Sequence, residues 1–416
     1  MIDEGTFEQL AGTINTYRDD TVELQRILTA IPALAPESGG DGEEEKARAL
    51  ENVLRSWEFT NMQRFDAPDE RTSTGTRPNI IATIPGKRTD RTIWIITHLD
   101  VVPPGERSLW SHDPYELVVA DGRVYGRGTE DNQQDLVSSI MAARSLIQNG
   151  ITPVTNVALA FVADEETASI KGLRHLLEQQ PPLFKPDDYI VVPDFGNDQG
   201  DGIEIAEKSI LWLRFRTIGK QCHASVPAMG NNAFRAASHL VTALESLHEL
   251  FPERDRLYDP PESTFEPTKK EANVPNINTI PGDDVFHLDC RILPVHDLDE
   301  VMKKISEIVR RIEKQWNVAI QVEPQQKTQA PPPTSADAPV VAMLTEAVEH
   351  IYGVRPVPVG IGGGTVAAYL REKGLPVAAW SKLNRMAHQP DEYCEIDTMI
   401  GNAKVFARLF LNDIKQ

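Results

Sequence analysis

The stretch Thr92-Ile93-Trp94-Ile95-Ile96-Thr97-His98-Leu99-Asp100 decides the fold class. Its apolar run is strand-sized, and a histidine and an aspartate stand directly after it. Polar side chains in that place mark the end of an α/β sheet, where binding sites form. With period-two alternation His98 and Asp100 face the same side, so the carboxylate can accept from one ring nitrogen and leave the other for a metal. Read alone, the two fit a satisfied surface pair better than a metal site.

Working outward, strand-length apolar runs recur at Asn79 to Ile84, Val157 to Ala163 and Tyr189 to Val192, with a helix from Leu136 to Ile147 among them. Helical spacing also covers Thr21 to Leu28 and Ala49 to Trp57. That alternation predicts α/β architecture. From Ile210 the pattern changes to a strand, a helix from Asn232 to Leu250, a strand from Val285 to Arg291, a helix from Val301 to Trp316 and a strand around Ile320. Pro331-Pro332-Pro333 marks a stiff connection, after which a helix near Val340 to Ile351, a strand, a Gly-rich turn and a helix at Thr398 to Phe410 resume the first pattern. The simplest topology is a catalytic α/β domain made of 1–209 and 325–416, interrupted by an inserted domain, 210–324.

At 416 residues the chain suits two cores better than one. Apolar residues make up 40% and charged residues 25%, as in a folded chain rather than a disordered one. The net charge of -20, with no basic run, argues against a nucleic-acid partner, which needs clustered cations to meet phosphates. Glu43-Glu44-Glu45 reads as solvated surface. Met1-Ile2-Asp3-Glu4-Gly5 is acidic where a secretory signal starts basic, and no run approaches the roughly 18 apolar residues of a membrane span. A soluble, cytoplasmic protein with no membrane partner is expected. Cys222, Cys290 and Cys394 are odd in number and outside any CxxC pattern, which predicts three inert thiols.

Gly126-Arg127-Gly128-Thr129-Glu130-Asp131 lies in a turn before a helix, where the glycines allow tight backbone and Asp131 can project toward the same sheet edge. An ordinary N-cap carboxylate is the other reading. In Asp164-Glu165-Glu166 neighbouring carboxylates repel unless water or a cation compensates, and one bound to metal leaves the other free as a base. By itself that segment is also a solvated acidic loop. Asp194 after a strand, and His388 in Ala387-His388-Gln389-Pro390-Asp391-Glu392, add a carboxylate and an imidazole. Two histidines and several carboxylates at successive strand ends suit two zinc-like ions. Gly362-Gly363-Gly364-Thr365 lacks the lysine of a phosphate-binding loop.

In order, and over nearly the whole chain, these pieces resemble the M20 metallopeptidase family, which includes acetylornithine deacetylase, succinyl-diaminopimelate desuccinylase, aminoacylase and dipeptidases. The resemblance is carried by His98-Leu99-Asp100-Val101-Val102-Pro103, Gly126 to Asp131, Asp164-Glu165-Glu166, Gly219 with His223-Ala224-Ser225, Asn278-Thr279-Ile280-Pro281-Gly282, and His388 to Glu392. It implies a zinc-aminopeptidase-like α/β/α catalytic domain with an inserted α+β, ferredoxin-like domain that serves dimerisation and acts as a lid. It also implies two divalent ions, zinc foremost and cobalt or manganese as alternatives. His98 and Asp194 would hold one, Glu166 and His388 the other, and Asp131 would bridge them. Asp100 would orient His98, and Glu165 would be the general base for metal-activated water. His223 resembles the family histidine that reaches across a homodimer to stabilise the tetrahedral oxyanion. Asn278 and Arg291 would contact a substrate carboxylate, although a turn residue and a salt-bridged strand arginine are the alternatives. Gly363 would belong to a backbone wall beside the substrate.

The expected function is hydrolysis of the amide bond of a small N-acyl amino acid, of the acetylornithine deacetylase or desuccinylase type. The alternative is a di- or aminopeptidase acting on short peptides. Aspartate at 194 resembles the peptidase branches, and Asn132-Gln133 departs from the Met-Lys often seen after the bridging aspartate. A non-catalytic protein on the same fold fits less well, since every ligand candidate and the base are in place, and a glycosidase using Glu165 and Glu166 fits less still, because its carboxylates must flank a sugar from opposite sides. Substrate is expected to draw the inserted domain toward the catalytic one, because His223 belongs to a separate unit.

Overall fold

The computed structural model describes residues 2–412; Met1 and 413–416, the outer limits of the expected catalytic domain, lie outside the described residues. The apolar runs pair into an eight-stranded sheet in the order Met62–Arg64, Ile80–Ile84, Thr155–Val162, Arg88–His98, Tyr189–Asn197, Val377–Lys382, Gly202–Glu207 and Val357–Ile361. The four inner strands, Thr155–Val162 to Val377–Lys382, run parallel, and their immediate neighbours Ile80–Ile84 and Gly202–Glu207 pair antiparallel. Strands buried on both faces need apolar side chains in both directions, which is why they read as continuous runs rather than alternating ones. Trp94, Ile96, Ala158, Ala160, Ile190 and Val192 pack with Leu173, Leu176, Ala367 and Leu370 of two short helices. The alternate residues, such as Ile93, Ile95 and Leu159, are equally buried, toward the helix Gln133–Gln148. The result is a mixed α/β fold with helices on both sheet faces.

Two compact units emerge. The first takes residues up to Ile205, Thr334–Pro358 and those from Thr365 onward; the second takes Ala206–Pro333 and Val359–Gly364. The second therefore begins before Ile210, runs beyond 324 and gains a return segment. Ser209 Oγ accepts from the N–H of Ala330 at 2.8 Å, and Arg291 Nη1 donates to the Gly362 carbonyl at 2.8 Å, which ties both additions to this unit. Its antiparallel sheet runs Thr264–Lys270, Asp283–Ile292, Ser209–Ile218, Ala319–Thr328. Strict alternation buries Leu211, Leu213 and Phe215 on one face, where Phe215 stacks on Phe286 at 4.8 Å. The helix Leu298–Trp316 covers that core with Val301, Ile305, Ile308, Val309 and Ile312 at helical spacing, and Asp297 caps its start by accepting from Asp299 N–H.

Three expectations change. The helix expected from Asn232 to Leu250 is broken into Ala233–Leu244 and Leu247–Leu250. The strand expected to stop at Val192 continues to Asn197, because it pairs with Val377–Lys382, a strand whose alanines hide it in the sequence. Glu43 is fully buried rather than solvated, against Arg77. No helix among the described residues is long and apolar enough to cross a membrane. Cys290 and Cys394 are buried free thiols, with burial pushing both pKa values up, and Cys222 is a half-buried one.

Candidate metal centre

Parallel strands align their C-terminal ends, and here each of the inner four brings a polar residue to that edge. Arg88–His98 ends on His98, Asp164-Glu165-Glu166 follows Thr155–Val162, Asp194 lies within Tyr189–Asn197, and His388 sits in the loop after Val377–Lys382. Asp131 closes the turn before Gln133–Gln148. That turn needs glycine at 128, where φ is +86° and a Cβ would lie 2.5 Å from Val101 Cγ1. The N-cap of the helix is Asn132, so Asp131 is not the capping carboxylate.

The side chains converge. His98 Nε2 lies 3.0 Å from Asp131 Oδ1, and His388 Nε2 lies 3.2 Å from Asp131 Oδ2 and 3.1 Å from Glu166 Oε2. Two donor groups result, His98 with Asp131 and Asp194, and Asp131 with Glu166 and His388; within each, one ligand atom per residue lies within 4.8 Å of the others. Asp131 belongs to both.

The electrostatics follow from crowding carboxylates at a half-buried edge. Burial and the Asp131 charge push Asp194 up to about 8. Burial, then the charges of Asp194 and Glu166, push Glu165 well above the carboxylate range, and burial raises Glu166 as well. Against its own burial, hydrogen bonds from His388 and His98 hold Asp131 far below that range. The hydrogen bonds with Asp131 and Glu166 lift His388 to about 10. Carboxylates so placed take up protons or a cation. The donor set fits divalent ions: imidazole nitrogens and carboxylate oxygens, with Glu166 Oε1 buried and without a hydrogen-bond partner among the described residues.

His98 Nδ1 faces the backbone carbonyl of Asp100 at 3.0 Å, while the Asp100 carboxylate is 3.5 Å away. A carbonyl only accepts, so Nδ1 carries a hydrogen, and in the neutral ring Nε2 is then left with its lone pair for a ligand role, while the protonated ring donates from Nε2 to Asp131. The Asp100 carboxylate accepts instead from the N–H groups of Glu165 at 3.1 Å and Glu166 at 3.0 Å, fastening the acidic segment to the His98 strand. Asn132, noted in the sequence only as a departure from pattern, donates to the Pro193 carbonyl at 2.8 Å and to Asp194 Oδ1 at 3.2 Å. Lys46, missed altogether, is buried, and its pKa falls to about 8 through that burial, opposed by the charges of Asp100, Glu43 and Glu392. Glu392 appeared in a quoted motif but was given no part.

Residues 94–412 match the profile of peptidase family M20/M25/M40. The chain belongs to this family. It is thus a member of an enzyme family of metallohydrolases and peptidases. An uncharacterised metallohydrolase of Methanocaldococcus jannaschii is 39% identical over 402 residues, covering 93% of this chain and 98% of the relative. A succinyl-diaminopimelate desuccinylase of Alkalilimnicola ehrlichii is 25% identical over 309 residues, covering 73% and 79%. The crystal structure of human carnosine dipeptidase 1 has the same fold, with a TM-score of 0.71 and 17% identity over 97% of this chain and 98% of that one.

The remaining candidate residues of this M20 chain lie in its second unit. His223 is exposed, and its Nδ1 accepts from the Ser225 N–H at 3.2 Å, so in the neutral ring the proton sits on Nε2. Asn278 is exposed; its Oδ1 accepts from Asn276 and its carbonyl from Ala224 N–H. Arg291 is held on both sides of its fork by Asp289, at 2.7 and 3.0 Å, and donates to Gly362. The salt-bridged strand arginine is therefore observed. Gly363 follows the strand Val357–Ile361, and a Cβ there would meet nothing within 4 Å.

Proposed function

We propose that this M20 metallohydrolase cleaves the amide bond of a small N-acyl amino acid, with Glu165 as general base. The observation that carries the reading is a divided set of carboxylates: Asp131, Glu166 and Asp194 fall into the two donor groups, and Glu165 stays outside both with a pKa raised well above the ordinary range. Two divalent ions, zinc foremost and cobalt or manganese as alternatives, held by His98, Asp131 and Asp194 and by Asp131, Glu166 and His388, would supply Lewis acidity toward the carbonyl and make water acidic near neutral pH. Glu165 takes the proton of the attacking water and returns it to the leaving nitrogen, a task open to a carboxylate that lies outside both donor groups. Asp100 keeps Glu165 in place through its backbone N–H. His223 Nε2–H, contributed from a second copy of the chain in a homodimer, donates to the developing oxyanion. Asn278 and the two N–H bonds that Arg291 has left meet the substrate carboxylate, beside the backbone at Gly363.

The desuccinylase relative supports an acyl substrate. The second reading, a di- or aminopeptidase, is favoured by aspartate at 194, and M20 peptidases act on peptides. A turnover panel of N-acetylornithine, N-succinyl-diaminopimelate, other N-acyl amino acids and unblocked dipeptides separates the two. Preference for a free-amine dipeptide sinks the acyl reading, and full activity of Glu165→Gln with metal bound sinks the mechanism.

A further inference from the structure

Two carboxylates outside both donor groups hold the loops that carry Asp131 and His388. Glu392, fully buried, accepts at Oε1 from the N–H groups of Glu130 at 2.9 Å and Asp131 at 3.0 Å. Its Oε2 accepts from Gly128 N–H at 2.9 Å and from Arg127 Nη1 at 2.6 Å. Glu130 returns the contact. Buried beside Asp131, it accepts at Oε1 from Asn384 N–H at 2.5 Å and at Oε2 from Met386 N–H. Each loop thus supplies the acceptor for the other's backbone donors, buried at Gly128 and Glu130 and half-buried at Asn384 and Met386.

The receiving loop is strained. Arg385, His388 and Asp391 have φ values of +60°, +64° and +53°, left-handed conformations that L-residues rarely adopt. Such conformations persist only where the surroundings over-determine them. Glu130 bonds to the loop at Asn384 and Met386, on both sides of Arg385 and just before His388.

We infer that Glu130 and Glu392 form a reciprocal latch, in which Glu130 is a positioning residue that fixes His388 against Asp131 and Glu166 and so sets the affinity of the ion position those three share. The inference rests on the two-ion reading above. Both oxygens of Glu130 are acceptors here, and glutamine would turn an N–H toward a backbone N–H. Position 130 adjoins a ligand in the sequence, yet its effect is exerted across the fold, on a ligand some 250 residues away. The position formed by His98, Asp131 and Asp194 takes no ligand from the 384–388 loop and is unaffected.

Zinc titration against a chromophoric chelator, on stripped wild type and Glu130→Gln with thermal melts of both, tests this. Amide hydrogen exchange at Asn384 and Met386 is followed in the stripped proteins. The expected result is two ions in wild type, one affinity unchanged in the variant and the other weakened about 10- to 100-fold, the usual effect of removing a group that orients a ligand. Exchange at Asn384 and Met386 speeds up in the variant. Unchanged affinities, or equal loss at both positions, overturn the inference. Wild type that binds no zinc overturns the two-ion reading itself, and unchanged exchange at Asn384 and Met386 then overturns the latch as well. Should Glu130→Gln fail to fold, Glu130→Asp, which keeps the charge and shortens the reach, carries the same comparison.

Discussion

Arg77 has no solvent exposure and lies among three carboxylates. Its Nε donates to Glu43 at 2.5 Å, its Nη2 also reaches Glu43, and its Nη1 lies 3.6 Å from Asp164 and 3.7 Å from Asp69. Glu43 in turn accepts the Asp164 N–H, immediately before Glu165 and Glu166. Removing one partner of a buried pair leaves the other charge uncompensated, so Arg77→Met should lower stability by about 3–5 kcal/mol. Urea unfolding reads this directly, and an unchanged midpoint would show that the carboxylates are neutral without Arg77. Glu165→Gln belongs at the same scale with the opposite pattern: turnover falls about 10²–10⁴-fold, the range of general acid–base catalysis, while metal content and unfolding midpoint hold. Metal analysis beside steady-state kinetics separates the two behaviours. His98, Glu166 and Asp194 were visible as ligand candidates because they follow apolar runs, while Asp131 and His388 stood out through the motifs of the family resemblance. Glu43, Lys46 and Glu130 were not, because a charged residue reads as solvated until its partner from another segment is placed beside it.

The helix Gln133–Gln148 is buried on nearly every side, between the sheet and the helix Ile396–Phe410, and it carries polar residues inward. Asp135 accepts from Ser381 Oγ at 2.5 Å, Asn402 Nδ2 at 2.9 Å and Gln134 Nε2 at 3.2 Å. Burial outweighs these bonds and raises its pKa from 3.8 to about 7. Between those values the folded chain holds a proton that the unfolded chain has lost, so this stabilising contribution is complete below about 3.8 and is lost as pH rises to about 7. The stability of wild type relative to Asp135→Asn should therefore fall across that window and level off above it. A difference that stays flat from pH 4 to 8 in paired thermal melts would mean that Asp135 is ionised throughout. The same region shows how elements escape a sequence reading. Val377–Lys382 is short and alanine-rich, and it becomes a central strand because Gly196 on its neighbour lets Ser381 approach; a Cβ at 196 would lie 1.9 Å from the Ser381 carbonyl.

Across the whole molecule two units with separate cores carry different burdens. The first gathers acidic side chains at one sheet edge, and the second has a core rich in Leu, Ile, Val and Phe side chains with no such donor group among its described residues. Ions that bind only the folded first unit add stability by mass action, about 2.7 kcal/mol at a free concentration one hundred times the Kd. Stripping the protein with a chelator should lower the melting temperature of the first unit, and zinc should restore it. Calorimetry with and without chelator reads the shift. Identical traces would mean that the acidic edge is stable by protonation alone.

The α/β class, the change of pattern after Ile210 and the residue types at the strand ends were legible in the sequence. Those depend on periodicity and on local order along the chain, which a single sequence carries in full. Folding set the second unit's reach to Pro333 and its recruitment of Val359–Gly364, since Ser209 and Arg291 bind those segments from far away in the chain. It alone decided that Asp131 faces both histidines, that the Asp100 carboxylate serves Glu165 and Glu166 more closely than His98, and that Glu130 and Glu392 hold each other's loops. Hydrogen bonds of that kind are set by distances in space between segments, and sequence spacing holds no record of them.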